Sequence, residues 1–344
     1  MKKTILALTI PAMLAVSAAA TAANVYKTDS QTLDVFGRGK FSVNRNHDSQ
    51  TRSDFSARFG VKGTTQISEG LSAFAHVAWD MQSQRDQLSS NVAGNDDLMS
   101  REVFVGLDYG QAGSLELGQD HTPFYSSLTK VTDIFDWDGQ ESYVGTYGKN
   151  FNPNQAIYTN AFGPVTVQAS YQFDTQQGSG AAAIDTFNGG VGTFTDQSNA
   201  HSLAVVYDTG LGLNVRAAYA RQNFAGDEHK NNYGFGVDYT MDNLYVAALY
   251  THDKEDGVNQ SAKRNGYEFA AKYNMGKISL LTGYAYGKQD SDATGNDSKY
   301  AKAFKLGMQY HFTSNVKGMV QWTNNTADQI DNSNAYHAGL QYNF

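Results

Sequence analysis

The chain of 344 residues contains no cysteine and only 4 prolines. Without cysteine there is no disulfide framework, no thiolate nucleophile and no cysteine-ligated zinc or iron–sulfur centre. So little proline, with 33 glycines in no G-X-Y period, excludes collagen-like and Pro-rich disordered chains. Charge is also scarce, at 17% of residues. The formal net charge is −8, the opposite of the basic surface that nucleic-acid binding requires. After residue 22 no run of ~20 apolar residues occurs, so no membrane-spanning helix is expected. G-x-S-x-G, G-x-x-x-x-G-K-S/T and G-x-G-x-x-G are all missing, and the 8 histidines are scattered without an H-E-x-x-H spacing. Asp136-Trp137-Asp138-Gly139 loosely resembles a calcium loop, but Ile134 stands where a further ligand belongs. No enzyme, cofactor or metal site is expected.

What is present begins with an address. Met1-Lys2-Lys3 is basic, Ile5 to Val16 is a largely apolar stretch with one proline at Pro11, and Ala20-Thr21-Ala22 fits a small-residue cleavage site. Residues 1–22 are expected to be a secretory signal peptide, and 23–344 the mature domain. Losing the two lysines takes the net charge from −8 to −10. The exported chain is then either soluble outside the cytoplasm or a transmembrane barrel.

From Leu33 onward the dominant period is two. Val165, Val167, Ala169, Tyr171 and Phe173 alternate with Thr166, Gln168, Ser170 and Gln172. Phe304, Leu306, Met308, Tyr310 and Phe312 alternate with Lys305, Gly307, Gln309 and His311. The spacing predicts strands near 32–45, 52–67, 71–83, 98–109, 113–119, 154–160, 164–173, 200–208, 212–223, 231–241, 243–253, 263–274, 277–288, 299–312, 315–325 and 335–344. About sixteen strands of this dyad repeat suit a closed up-and-down barrel in a bilayer.

The connections alternate as well. Ser68-Glu69-Gly70, Met241-Asp242, Met275-Gly276 and Thr313-Ser314 are tight, whereas 84–97, 120–153, 174–199, 254–262, 289–298 and 326–334 are long and polar. Short turns at one end and long loops at the other fit an outer-membrane barrel. A soluble sandwich also alternates, but its strands are usually shorter and its turns more evenly spaced. In hydrocarbon an unpaired backbone group costs several kcal/mol, so a sheet placed there must close on itself. Its apolar stripe then faces lipid and its polar stripe faces the lumen. This reconciles a mean hydropathy of −0.48 with a membrane protein. Tyr207, Tyr219, Tyr239, Tyr250, Tyr284 and Tyr310 are candidates for interfacial girdles.

The last strand carries Tyr336, Ala338, Leu340, Tyr342 and Phe344 on one face, apolar to its tip. With this ending, four segments resemble the Gram-negative general-diffusion porins. They are Ala23-Asn24-Val25-Tyr26-Lys27 with Leu33 to Arg38; Ala57 to Gly63; Ser100 to Leu107; and Gly113 to Gly118. The resemblance runs over nearly all of the mature chain. It implies a homotrimer of sixteen-stranded barrels, and a third long loop, about 120–153, that folds inward to narrow each pore.

The resemblance places Arg38, Arg58 and Arg101 on a basic pore wall. Lys40 and Lys62 share the inward parity of Arg38 and Arg58. It puts acids on the inserted loop, here Asp133, Asp136, Asp138 and Glu141, facing that wall across a transverse field. It makes Tyr336, Leu340, Tyr342 and Phe344 an assembly signal read by the barrel-assembly machinery. It also implies outer-membrane lipid and lipopolysaccharide as surroundings and small hydrophilic solutes as cargo. This chain departs from the family pattern at Gly118-Gln119, at Lys149-Asn150-Phe151 and at Asp136-Trp137-Asp138-Gly139-Gln140. The basic wall is thinned and the loop stays acidic, so a mild cation preference is expected. Two further readings remain: a substrate-specific channel with an aromatic lumen, for which Phe36, Phe74 and Tyr286 are candidates, and a surface adhesin or receptor barrel with a plugged lumen.

Overall fold

A computed structural model describes residues 22–46, 50–82, 98–137, 142, 151–173, 197–257, 261–291, 298–328 and 333–344. The strands are β1 Ala23–Lys27, β2 Gln31–Asn46, β3 Arg52–Ser68, β4 Leu71–Gln82, β5 Leu98–Asp108, β6 Ser114–Asp120, β7 Asn152–Phe162, β8 Val165–Gln172, β9 Gln197–Asp208, β10 Leu213–Phe224, β11 His229–Met241, β12 Leu244–Asp256, β13 Ser261–Met275, β14 Ile278–Ser291, β15 Ser298–His311, β16 Val316–Asn325 and β17 Ser333–Asn343. From β2 to β17 each strand pairs antiparallel with the next. β17 then returns to β2, with Asn343 opposite Arg38 and Ala335 opposite Asn46. The sixteen-strand barrel is closed, as the alternation predicts. Almost all of the expected leader lies outside the described residues.

The additional strand, β1, has no counterpart among the predicted strands. Its five residues are all exposed, so it carries no buried stripe to read. It pairs with the turn end of β2, Ala23 opposite Val35 and Lys27 opposite Thr32, along the edge that β17 covers farther up. Between them, Phe344 and Gly37 exchange backbone hydrogen bonds of 2.8 and 3.0 Å. One edge of β2 is thus covered by β17 and β1 in line.

The faces are inverted relative to a soluble protein. On β13, Tyr267, Phe269 and Tyr273 are exposed while Arg264, Glu268 and Ala270 are buried inside. On β15, Phe304, Leu306, Met308 and Tyr310 are exposed, and Ala303, Lys305 and Gln309 are buried. Outer aromatic rings meet across neighbouring strands: Tyr219 and Tyr233 at 5.0 Å, Tyr250 and Tyr267 at 5.1 Å, Tyr267 and Tyr286 at 6.3 Å. Tyr286 therefore belongs to the outer face, and the expectation that it might line the lumen is corrected.

The segment after β6 enters the barrel. A helical turn, Phe124–Leu128, continues into a second, Thr129–Thr132. Phe124 and Leu128 bury themselves against Ala200, Ala204, Ala218, Ala220 and Leu249 on the inner wall. Small residues make the room. A Cβ on Gly283 would lie 2.7 Å from the Phe135 ring, and one on Gly339 would lie 2.9 Å from the Trp137 ring.

Candidate pore constriction

The basic wall is built by β2 to β5. Arg38 and Arg58 are direct cross-strand partners, and Asp80 on β4 lies opposite Arg58. Asp80 holds two of the three arginines. Arg58 Nε donates to its Oδ1 at 2.8 Å, and Arg101 Nη1 to its Oδ2 at 2.6 Å. Arg101 Nε also reaches Glu102 at 3.4 Å. Arg38 Nε is buried and has no hydrogen-bond partner. Like charges this close repel in a partly desolvated site, and one shared carboxylate offsets that repulsion. Sequence reasoning did not name Asp80. The signal was available, because Asp80 stands four residues beyond His76 on the same inward parity of one strand.

Arg101 is a different case. Counting by two from Val103, Val105 and Leu107 would point it at lipid. The register shifts between Val77 and Trp79, whose partners are Val103 and Ser100, so Arg101 and Glu102 together face Ala78. This β-bulge turns Arg101 into the lumen. There its guanidinium lies 4.3 Å from the Phe151 ring centre. Lys62 stands in register with Asp34 on one side and His76 on the other.

The inserted segment is fastened to the far wall by its backbone and its polar groups. Tyr245 on β12 donates to the Val131 carbonyl at 2.8 Å. Thr132 and the Ser142 backbone N–H donate to the two oxygens of Glu268 on β13, at 2.6 and 3.0 Å. Asp133 accepts from Tyr125 of the same segment at 2.7 Å. Asp136 turns to β15 and β16: Lys317 reaches Oδ1 and Gln309 reaches Oδ2, each at 2.6 Å. Its carbonyl accepts from Lys40 at 2.8 Å. Lys40 and Asp136 are thus brought together, while the carboxylate itself makes no contact with Arg58 or Arg101. Asp138 and Glu141 lie outside the described residues.

Inward aromatics also occur below the arginines. Phe36, His76, Phe104 and Phe74 form a chain of ring contacts of 5.1, 5.1 and 6.2 Å. Phe36 covers Gly60 and Phe74 covers Gly106, and both Phe36 and Phe104 are buried. They pave the wall and do not project as an open aromatic track. Among the described residues no group of three or more histidine or acidic side chains is placed to hold a metal.

The geometry is that of a membrane barrel with a polar lumen, narrowed by a segment docked against one wall and lined on the other by paired arginines. A family model described as Gram-negative porin matches residues 7–329. The chain belongs to the Gram-negative porins. It is 28% identical to outer membrane porin F of Salmonella typhimurium, an alignment that covers 98% of this chain and 96% of the relative. Outer membrane porin N of Escherichia coli is 26% identical over 96% and 94%. The fold is similar to that of Salmonella typhi OmpF in complex with daunomycin, with TM-score 0.80, 19% identity and coverage of 94% and 100%. It is also similar to the trimer form of the Vibrio cholerae outer-membrane protein OmpT, with TM-score 0.69, 18% identity and coverage of 92% and 100%. The barrel is therefore a porin channel of the Gram-negative outer membrane. Its tip-to-tip apolar last strand exposes Tyr336, Leu340 and Tyr342 on the lipid side.

Proposed function

We propose that this porin is a general-diffusion pore for ions and small hydrophilic solutes with a mild preference for cations. The observation that carries the reading is the pairing of the wall charges. Asp80 binds both Arg58 and Arg101, Glu102 adds a second acid beside Arg101, the Asp136 carboxylate binds Lys317, and the Asp136 backbone carbonyl accepts from Lys40. Asp80 and Glu102 thus offset part of the charge of the basic wall formed by Arg38, Lys40, Arg58, Lys62 and Arg101. Asp133, Asp136, Asp138 and Glu141 supply the acidic side, in a protein whose formal net charge is −8. Solutes cross down their own gradients through a transverse field that orders water and disfavours large apolar molecules. A planar-bilayer reversal potential in a potassium chloride gradient tests the preference; a potential of the sign for anion selectivity refutes it.

The working unit is a homotrimer in outer-membrane lipid and lipopolysaccharide. The trimer form of the structural neighbour supports this. So does the outer face of β2 to β6, where Gly63, Ala73 and Ala75 leave an apolar valley bounded by Leu33, Val105 and Leu117. Residues 1–22 act as a removable leader. Tyr336, Leu340, Tyr342 and Phe344 are read by the barrel-assembly machinery. Conductance arriving in steps of three, with heat-sensitive mobility of the unheated detergent extract, is the expected result. A substrate-specific channel would instead saturate with one solute, and a plugged surface barrel would not conduct.

A further inference from the structure

Among the aromatic rings of the inserted segment, Trp137 is half-buried and held against the wall at several points. Lys40 Nζ lies 4.1 Å above its ring centre, and the His337 ring stacks at 5.3 Å with an interplanar angle of 16°. Gln321 on β16 grips its backbone from both ends, donating to the carbonyl at 2.6 Å and accepting from the N–H at 3.4 Å. Gly339 on β17 gives the indole its seat, since even a methyl group there would overlap the ring. The indole thus rests directly on the sheet where β16, β17 and β2 adjoin. A layer of water would need about 3 Å of clearance between ring and wall, and the contact leaves none.

We propose that Trp137 is a specificity-determining residue of this pore. It seals the gap between the inserted segment at Trp137 and the β16–β17–β2 wall, so that solutes pass on the side of Arg38, Arg58 and Arg101. The proposal rests on the channel reading above and deepens it. The chemistry of the seal fits its place. An aromatic face shields the Lys40 ammonium without adding a negative charge, and it excludes water where a carboxylate would attract it. Without the indole, a second aqueous path opens beside the first, and Lys40 is uncovered in it.

The test is Trp137→Ala, compared with the unaltered porin by single-channel recording in potassium chloride and by exclusion of polyethylene glycols of graded mass. Conductance is expected to rise by roughly a quarter to a half, larger glycols are expected to enter, and the reversal potential is expected to move toward anions. Gln321→Ala, which frees the Trp137 backbone but keeps the ring, is expected to act in the same direction more weakly. Lys40→Met, which removes the cation but not the ring, is expected to move the reversal potential toward cations without admitting larger glycols. Folding is checked by the heat-sensitive mobility of each variant. Equal conductance and cutoff in Trp137→Ala overturns the proposal, as does a fall in conductance, which would mean that the ring holds the segment back from the pore. Should the unaltered protein fail to conduct, the channel reading falls instead.

Discussion

Asp80 sits between Arg58 and Arg101, and removing its charge leaves a three-arginine wall with only Glu102 beside it. Asp80→Asn is therefore expected to raise the anion-to-cation permeability ratio by roughly two- to threefold, read from the reversal potential. A second residue-scale prediction concerns stability. Glu255 on β12 binds Arg264 at 2.9 Å and Lys230 at 3.3 Å, and all three side chains are at least 95% buried. Glu255→Gln removes the buried carboxylate that faces both cations. It should cost about 3–5 kcal/mol, measured by urea unfolding in detergent. Arg101 shows where residue-level reading needs more than parity. Family likeness pointed it inward, simple counting pointed it outward, and the bulge opposite Ala78 decides the matter. A bulge adds one residue to one strand, and no side-chain pattern around Ser100-Arg101-Glu102 announces it.

At the scale of the element, the strand alternation assigns each side chain to lipid or lumen. Leu306 on β15 is exposed on the outer face. Leu306→Arg should destabilise the barrel in lipid by about 2–4 kcal/mol if that position lies near mid-bilayer. The inserted segment obeys a second pattern, carried by the inner face of the wall that receives it. Ala200, Ala204, Ala218, Ala220, Gly234, Gly283 and Gly339 are all small and inward. Gly234→Val would drive a side chain into Leu128 and Phe124. It is expected to cost about 1–3 kcal/mol in thermal unfolding and to make the open-channel current noisier as the segment shifts. This lopsided run of small inward residues was legible in the sequence. The inner faces of β2 and β3 carry Arg38, Lys40, Arg58 and Lys62.

At the scale of the molecule, the barrel closes along β2, where β17 and β1 lie in line. Deleting Phe344 removes both backbone hydrogen bonds to Gly37. It also removes the last ring of the exposed face formed with Tyr336, Leu340 and Tyr342. The folded, heat-sensitive form in outer-membrane extracts is expected to fall severalfold, scored on gels against the full-length chain. β1 covers the stretch of the β2 edge that β17 does not reach.

The amino-acid order alone determined the class of this protein. Period-two alternation, long loops opposite short turns and an apolar last strand lead to a closed membrane barrel, because only a closed sheet satisfies its backbone in hydrocarbon. These are local properties, written in neighbouring residues. The distribution of charge across the pore is not local. That Asp80 joins Arg58 to Arg101, that Asp136 turns to Lys317 and Gln309, and that Trp137 lies between Lys40 and His337 depend on strands and loops far apart in the chain. Which side chains meet there follows from register, one bulge and the path of the inserted segment, and these are settled only when the barrel has closed around it.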